Sequence, residues 1–281
     1  MPNHVTNVFA VHGPQGALRA FIDRHIYEKS GPASVVTGIV PAPVITLDFE
    51  SVVVPPAALG DASSVATEGA LALVIAALNN DNQFTAQSYG LMHHGGVPDP
   101  RNRLRRKSSA PAPTKHAIEW TPGAGHDLIR VMDKQHGADW RAEAHAFLRS
   151  IVECEGHGSW YSWNVAKWGT KWNSYDFKWR DAAGPESLTG DDDEPGVITA
   201  QFDTAWSVPE PIFKALAEQY PTLQFHVSAF DEGWNFCAEG WFGASLGELM
   251  PTFEHYKVKR GDGRAERLHV TCYGYPMEKE D

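Results

Sequence analysis

Within its first 27 residues the chain switches hydrophobic period from two to 3.6, and this switch restricts the fold more than any other feature. Val5 to Val11 (VTNVFAV) sets Val5, Phe9 and Val11 on one side and Thr6, Val8 and Ala10 on the other, the alternation of a strand, and Gly13-Pro14 punctuates its end. Pro14 to Tyr27 then lays Leu18, Phe21, Ile22 and Ile26 along the stripe of an amphipathic helix. Beyond the Gly/Pro-rich stretch Gly31 to Pro43, Val44 to Val54 is β-branched and aromatic, and it stops at Pro55-Pro56, where a ladder cannot continue. The opening reads β-α-β.

The next hundred or so residues break this rhythm. Ala62 to Leu78 is alanine-rich with Leu71, Val74, Ile75 and Leu78 on one face, a helix by propensity and period. Asn79 to Pro113 has no sustained period and reads as a long excursion; within it Arg101, Arg103, Arg105, Arg106 and Lys107 form a basic cluster. Helical order returns at His126 to Lys134 and at Ala138 to Val152, where Trp140, Ala144, Phe147, Leu148 and Ile151 make a stripe. Residues 57–156 are therefore expected to be a helical and loop insertion between 1–56 and 157–281.

From Trp160 strands are expected to dominate. Ser174 to Arg180 sets Tyr175, Phe177 and Trp179 against Ser174, Asp176, Lys178 and Arg180, and Val197 to Trp206 alternates in the same way. An acidic loop containing Asp191, Asp192, Asp193 and Glu194 joins them. Ser207-Val208-Pro209-Glu210 has capping-box spacing before a helix that turns Ile212, Leu216 and Tyr220 inward. Leu223 to Phe230 and Trp234 to Phe242 read as a hairpin about Asp231-Glu232-Gly233, and Arg267 to Tyr275 as a last strand. Hairpins mixed with few crossovers imply an α+β domain whose helices cover one sheet face.

Two long motifs carry a family resemblance. Trp168-Gly169-Thr170-Lys171-Trp172-Asn173-Ser174-Tyr175-Asp176 and Phe202-Asp203-Thr204-Ala205-Trp206-Ser207-Val208-Pro209-Glu210-Pro211 resemble the signature of the YubB-like proteins of phages, prophages and conjugative plasmids. The opening Met1 to Asn7, Tyr220-Pro221 and Asp231-Glu232-Gly233 are similar to that family as well, over roughly 1–56 and 160–242, although Val208 stands where the family more often has a second Pro. The resemblance implies a ferredoxin-like sheet, expected here to hold about six or seven strands, and a mobile-element setting. It implies no reaction.

Several function classes are excluded or weakened. No apolar run approaches a membrane span, since Gly69 to Leu78 is only ten residues long. The first residues lack a basic and apolar leader, and Cys154, Cys237 and Cys272 are odd in number and scattered, so a reducing cytoplasm is expected. There is no phosphate-binding Walker loop and no dinucleotide fingerprint, and no cofactor is expected. Gly243-Ala244-Ser245-Leu246-Gly247 matches a nucleophile elbow, with Glu248, Asp262 and His269 behind it, but without the large parallel sheet an elbow needs. Cys154-x-x-His157 has ligand spacing, and His93, His94, His116, His126, His136 and His145 are available, yet no second pair completes a structural zinc site. The acidic run lacks the glycine and glutamate of a calcium loop. The chain reads as a non-enzymatic protein, with a metal-dependent enzyme built from the histidine-rich insertion as the remaining alternative.

Five of the ten tryptophans (Trp160, Trp163, Trp168, Trp172, Trp179) fall between residues 160 and 179, interleaved with Lys167, Lys171, Lys178 and Arg180. Aromatics with cations compose a single-strand nucleic-acid platform; the alternation of Tyr175, Phe177 and Trp179 equally suits a packed core. A formal charge of −11 favours a basic protein partner over phosphate. The expected partner is a host bacterial protein, a component of defence or nucleic-acid processing, with nucleic acid as the alternative, no membrane, and sheet edges that admit a homodimer. The expected binding residues are Trp168, Thr170, Lys171, Trp172, Asn173, Asp203, Trp206 and Glu232, together with Asp191, Asp192, Asp193 and Glu194.

Overall fold

The computed structural model describes residues 3–30, 40–59, 63–77, 124–180, 184–243, 252–259 and 261–277. The chain divides into one unit of residues 1–54 and 164–281 and a second of residues 55–163. The basic cluster Arg101 to Lys107, His93, His94, His116 and the Ser245 elbow with Glu248 lie outside the described residues.

The second unit packs three helices, α3 (Ser64–Ala77), α4 (Ala124–His136) and α5 (Trp140–Glu153). Its core joins Ala66, Ala70 and Ala72 to Met132, Trp140, Ala144, Phe147 and Ile151. The small residues of α3 serve this packing: a Cβ at Gly69 would fall 2.5 Å from the Trp140 ring. The Trp140 indole donates to Asp133 at 3.0 Å, and Arg141 grips both oxygens of the same carboxylate.

In the first unit a six-stranded antiparallel sheet runs in the order β4 (Tyr175–Trp179), β5 (Pro195–Ala205), β1 (His4–Pro14), β6 (Gln224–Asp231), β7 (Phe236–Phe242), β8 (Glu254–Lys257). Its centre is β1, paired along its whole length with β5, from His4 opposite Ala205 to Pro14 opposite Pro195, and on its other side with β6. The helix α7 (Glu210–Gln219) carries the chain from β5 to β6 across β1, a split β-α-β unit. The α+β class and the ferredoxin-like sheet are those expected from the sequence. Val5, Phe9 and Val11 are fully buried beneath α1 (Gln15–His25) and α7, with Phe9 5.7 Å from Phe202 and 6.0 Å from Phe213 between ring centres.

Several sequence expectations are corrected. Val44 to Val54 is not one strand: β3 (Val44–Leu47), paired with β2 (Ile26–Lys29), gives way at Asp48, whose carboxylate accepts the Glu50 N–H and starts the short helix α2 (Phe49–Val52). Trp160 to Lys167 is a helix, α6, rather than the start of a strand region. Ser207 does not cap α7; that helix begins after Pro209, and the Ser207 hydroxyl donates to the Gly169 carbonyl instead. Arg267 to Tyr275 belongs mainly to the helix α8 (Gly263–Tyr273), capped by Asp262 at its start and by Gly274, at φ +82°, at its end. Helices cover both faces of the sheet rather than the one expected: opposite α1 and α7, Ala265, Leu268 and Cys272 of α8 meet Val8, Phe230 and Cys237. The strand β7 (Phe236–Phe242) continues to β8 (Glu254–Lys257).

Candidate functional site

Asp48 organises the region around the first motif. It is buried and accepts from the Tyr27 hydroxyl, from Lys29 Nζ at 2.9 Å and from Asn173 Nδ2 at 2.5 Å. Burial pushes its carboxyl upward, but the hydrogen bonds from Tyr27, Lys29 and Asn173 outweigh burial and hold it below the ordinary carboxylate range. Asn173 also accepts the Phe49 N–H at 2.9 Å, so one amide side chain fastens the first motif to the α2 turn.

The motif Trp168 to Asp176 splits into an inward half and an outward half. Trp168 is 3% exposed, donates its indole N–H to the Val53 carbonyl at 3.0 Å and packs edge-on against Phe49. Gly169 sits at φ +81°, and a Cβ there would approach Pro211 Cδ to 2.7 Å, so both conformation and space demand glycine. Thr170 is buried and donates to the Trp172 carbonyl at 2.7 Å, folding the loop back on itself. Asn164 supports the same turn through the Lys171 carbonyl at 3.0 Å. Trp168, Thr170 and Asn173, expected as binding residues, are thus framework.

The outward half is different. Trp172 is 39% exposed and Trp206, from the second motif, 42%. Lys171 Nζ lies over both rings, 4.5 Å from the Trp172 centroid and 4.8 Å from that of Trp206, within the range of cation–π attraction. Trp206 has φ +74°, which a bulky side chain rarely adopts. Its backbone N–H donates to the Asn3 carbonyl at 3.0 Å, beside the pairing of His4 with Ala205. Two motifs distant in sequence therefore meet at one end of the sheet.

Asp203 and Glu232 belong to that end. The Thr6 hydroxyl donates to Asp203 at 2.8 Å, the His4 N–H donates to Glu232 at 2.7 Å, and the Tyr175 hydroxyl meets His4 Nδ1 at 2.7 Å. Burial pushes the Asp203 carboxyl up, and the charge of Asp176 adds to it despite the Thr6 hydrogen bond. Burial likewise raises the Tyr175 hydroxyl, reinforced by Asp203, Asp176 and Glu232. His4 and Tyr175 were not singled out from the sequence, because their meeting depends on a β-bulge. Tyr175 pairs with Asp203 but Lys178 with Gln201, leaving one extra residue in β4 (Tyr175–Trp179), and Asp176 takes φ +52° there. The bulge puts Tyr175 on the Asp203 face while Phe177 faces Phe9, so Tyr175, Phe177 and Trp179 do not share one side as the alternation predicted.

The acidic run lies elsewhere. The Gln15 and Gly16 N–H groups, at the start of α1, donate to the carbonyls of Glu194 and Asp192, and Arg19 pairs with the Asp192 carboxylate at 2.7 Å. Asp191 to Glu194 thus satisfies the free amides of a helix N-terminus, at the Pro195 end of β5. Trp206 follows the other end, roughly 33 Å away at strand rise. The sequence could not separate these groups; strand length does.

The remaining candidates divide between packed and exposed positions. Cys154 ends α5, and its carbonyl accepts the His157 N–H at 3.0 Å in the turn that follows. His126, His136 and His145 are exposed. His269 packs against Phe230 and Tyr273, with Nδ1 2.9 Å from the Tyr275 carbonyl. Among the described residues no group of three or more His, Cys, Asp or Glu side chains is placed to hold a metal ion, and no helix is long and apolar enough to cross a membrane.

Fold and site together define an α+β protein whose ferredoxin-like sheet ends in an exposed aromatic–cation cluster. Residues 167–253, which hold both motifs, match the family model described as the ferredoxin-like domain in Api92-like protein. Among solved structures, protein api92 from Yersinia pseudotuberculosis is similar, at 9% sequence identity and a TM-score of 0.36, with 92% of this chain and 99% of that one covered. No curated protein matches the chain.

Proposed function

We propose that the protein works by binding another protein, without catalysing a reaction, through the sheet end that carries Trp172, Lys171 and Trp206. The observation that carries this reading is the convergence of two exposed tryptophans from separate motifs on one cation. Trp168 and Thr170 of the same motif are buried, so packing explains them; it does not explain leaving two indoles each about two-fifths exposed at one place, where tryptophan is among the most valuable residues of a protein interface. The formal charge of −11 favours a basic partner surface. The resemblance of the motifs to YubB-like proteins supports a mobile-element accessory role in the cytoplasm of a bacterial host, with a defence or nucleic-acid-processing component as partner.

A second reading has its own support, since exposed indoles beside a lysine also suit stacked bases of a single strand. One experiment addresses both. The tagged protein is used to capture partners from nuclease-treated and untreated bacterial lysate, beside a Trp172→Ala/Trp206→Ala variant and a charge reversal of Asp191 to Glu194. The protein-binding reading expects a partner that survives nuclease, is lost with the double variant and is kept by the charge reversal at the far end of the sheet. A partner retained by the double variant, or one that vanishes with nuclease, contradicts it.

A further inference from the structure

We infer that Trp172 and Trp206 form a two-walled clamp for a guanidinium, that Lys171 fills it in the unbound protein, and that an arginine from a basic segment of a partner protein takes its place. This rests on the protein-binding reading and names the chemistry of what is bound. Three observations carry it. First, the space beside the rings accommodates a cation, because one is there, with its ammonium within 5 Å of both ring centroids. Second, Trp206 holds its ring in place from a left-handed backbone conformation unfavourable for a bulky residue; such strain persists only where surrounding structure imposes it, and it concentrates at ligand clamps. The Asn3 carbonyl on the Trp206 N–H and the Ser207 hydrogen bond to Gly169 impose it here.

Third, the same end of the sheet is acidic. Asp176 and Glu232 are exposed and Asp203 is half-buried, and their charges reach Tyr175 strongly enough to raise its hydroxyl beyond the effect of burial. A cation entering the clamp therefore meets favourable charge, whereas a phosphate backbone meets repulsion. Arginine suits the clamp better than lysine: its planar guanidinium stacks on indole faces and sheds water more readily than an ammonium. Lys171 is then an internal competitor, and its removal should improve binding of a cationic side chain.

The competition gives the test. Binding of a labelled peptide of alternating arginine and glycine is followed by fluorescence anisotropy, beside a lysine–glycine peptide and a labelled oligothymidylate. Lys171→Ala, which keeps the backbone carbonyl that Asn164 binds, should tighten the arginine peptide about five- to thirtyfold, the strength of the two cation–π contacts it vacates. Trp172→Ala and Trp206→Ala should each abolish that binding, and the lysine peptide should bind less tightly than the arginine peptide. If Lys171→Ala weakens peptide binding or leaves it unchanged, the clamp is refuted. Oligothymidylate binding that Lys171→Ala weakens, with no peptide binding, refutes it in favour of nucleic acid. Failure of the peptide to bind overturns the guanidinium assignment while leaving a captured protein partner standing, so the two readings fail separately.

Discussion

His25 provides a pH-dependent test of the sheet unit. It ends α1 and is fully buried, between Phe21 and Tyr220 at ring-centre distances of 5.8 and 5.6 Å. Nδ1 meets the Ser51 hydroxyl at 2.7 Å, and Nε2 has no hydrogen-bond partner among the described residues. Burial, with help from Arg24 and against the pull of Asp48, lowers its pKa from 6.5 to about 4. The folded protein therefore keeps this imidazole neutral where the unfolded chain protonates it. The stability it confers is complete above pH 6.5 and is lost as pH falls towards 4. Each unit of that interval costs about 1.4 kcal/mol, or about 3 kcal/mol over the whole of it. His25→Asn keeps an atom near Nδ1 for Ser51 and removes the titration. The variant is expected to be less stable near neutrality, and in urea denaturation its deficit against the parent should shrink by about 3 kcal/mol between pH 6.5 and 4. Groups such as Asp48 titrate in both proteins and largely cancel in the difference. A deficit that stays constant across this interval refutes the argument.

Two further predictions concern the division between framework and surface. Trp168→Ala should destabilise the sheet unit by about 3–5 kcal/mol because it empties a buried site and strands the Val53 carbonyl, whereas Trp172→Ala/Trp206→Ala should cost no more than about 1 kcal/mol; comparable thermal shifts for the two would contradict the split. Asp48→Ala removes the acceptor shared by Tyr27, Lys29 and Asn173 and should cost about 3 kcal/mol. Lys29→Ala, at a side chain 35% exposed, should cost clearly less, and chemical denaturation of the pair checks the order.

The parts of the fold legible in the sequence were those with an uninterrupted period. Leu18, Phe21 and Ile22 are buried on α1, and the β5 alternation places Ile198, Ala200 and Phe202 in the core. The period was lost wherever a single polar residue changed the local rule. Asp48 turned a β-branched run into a strand, a cap and a helical turn, because its carboxylate offered the backbone an alternative to the ladder. For Arg267 to Tyr275, β-branched and aromatic content suggested a strand, while Asp262 and Gly274 mark helix ends and Ala265, Leu268, His269 and Cys272 lie on one helical stripe. A window opened at Asp262 shows that stripe.

The site was legible only in part. The tryptophan cluster pointed to the right segment, but residue type alone could not tell Trp168, held inside by its indole hydrogen bond, from Trp172 in solvent. Nor could it pair Lys171 with Trp206, which sheet topology brings together, or place Tyr175 beside His4, which needs the bulge at Asp176. Asp191 to Glu194 looked like a binding surface by charge, yet its carbonyls are occupied by the amides that begin α1.

Site-specific photo-cross-linking in living bacteria tests the binding claim most directly. A benzophenone side chain is placed in turn at positions 172, 206 and 192. The same protein should be cross-linked from 172 and 206 and not from 192. Cross-links formed from 192 alone, or from 172 and 206 only to nucleic acid, would contradict the assignment of this sheet end as a protein-binding surface.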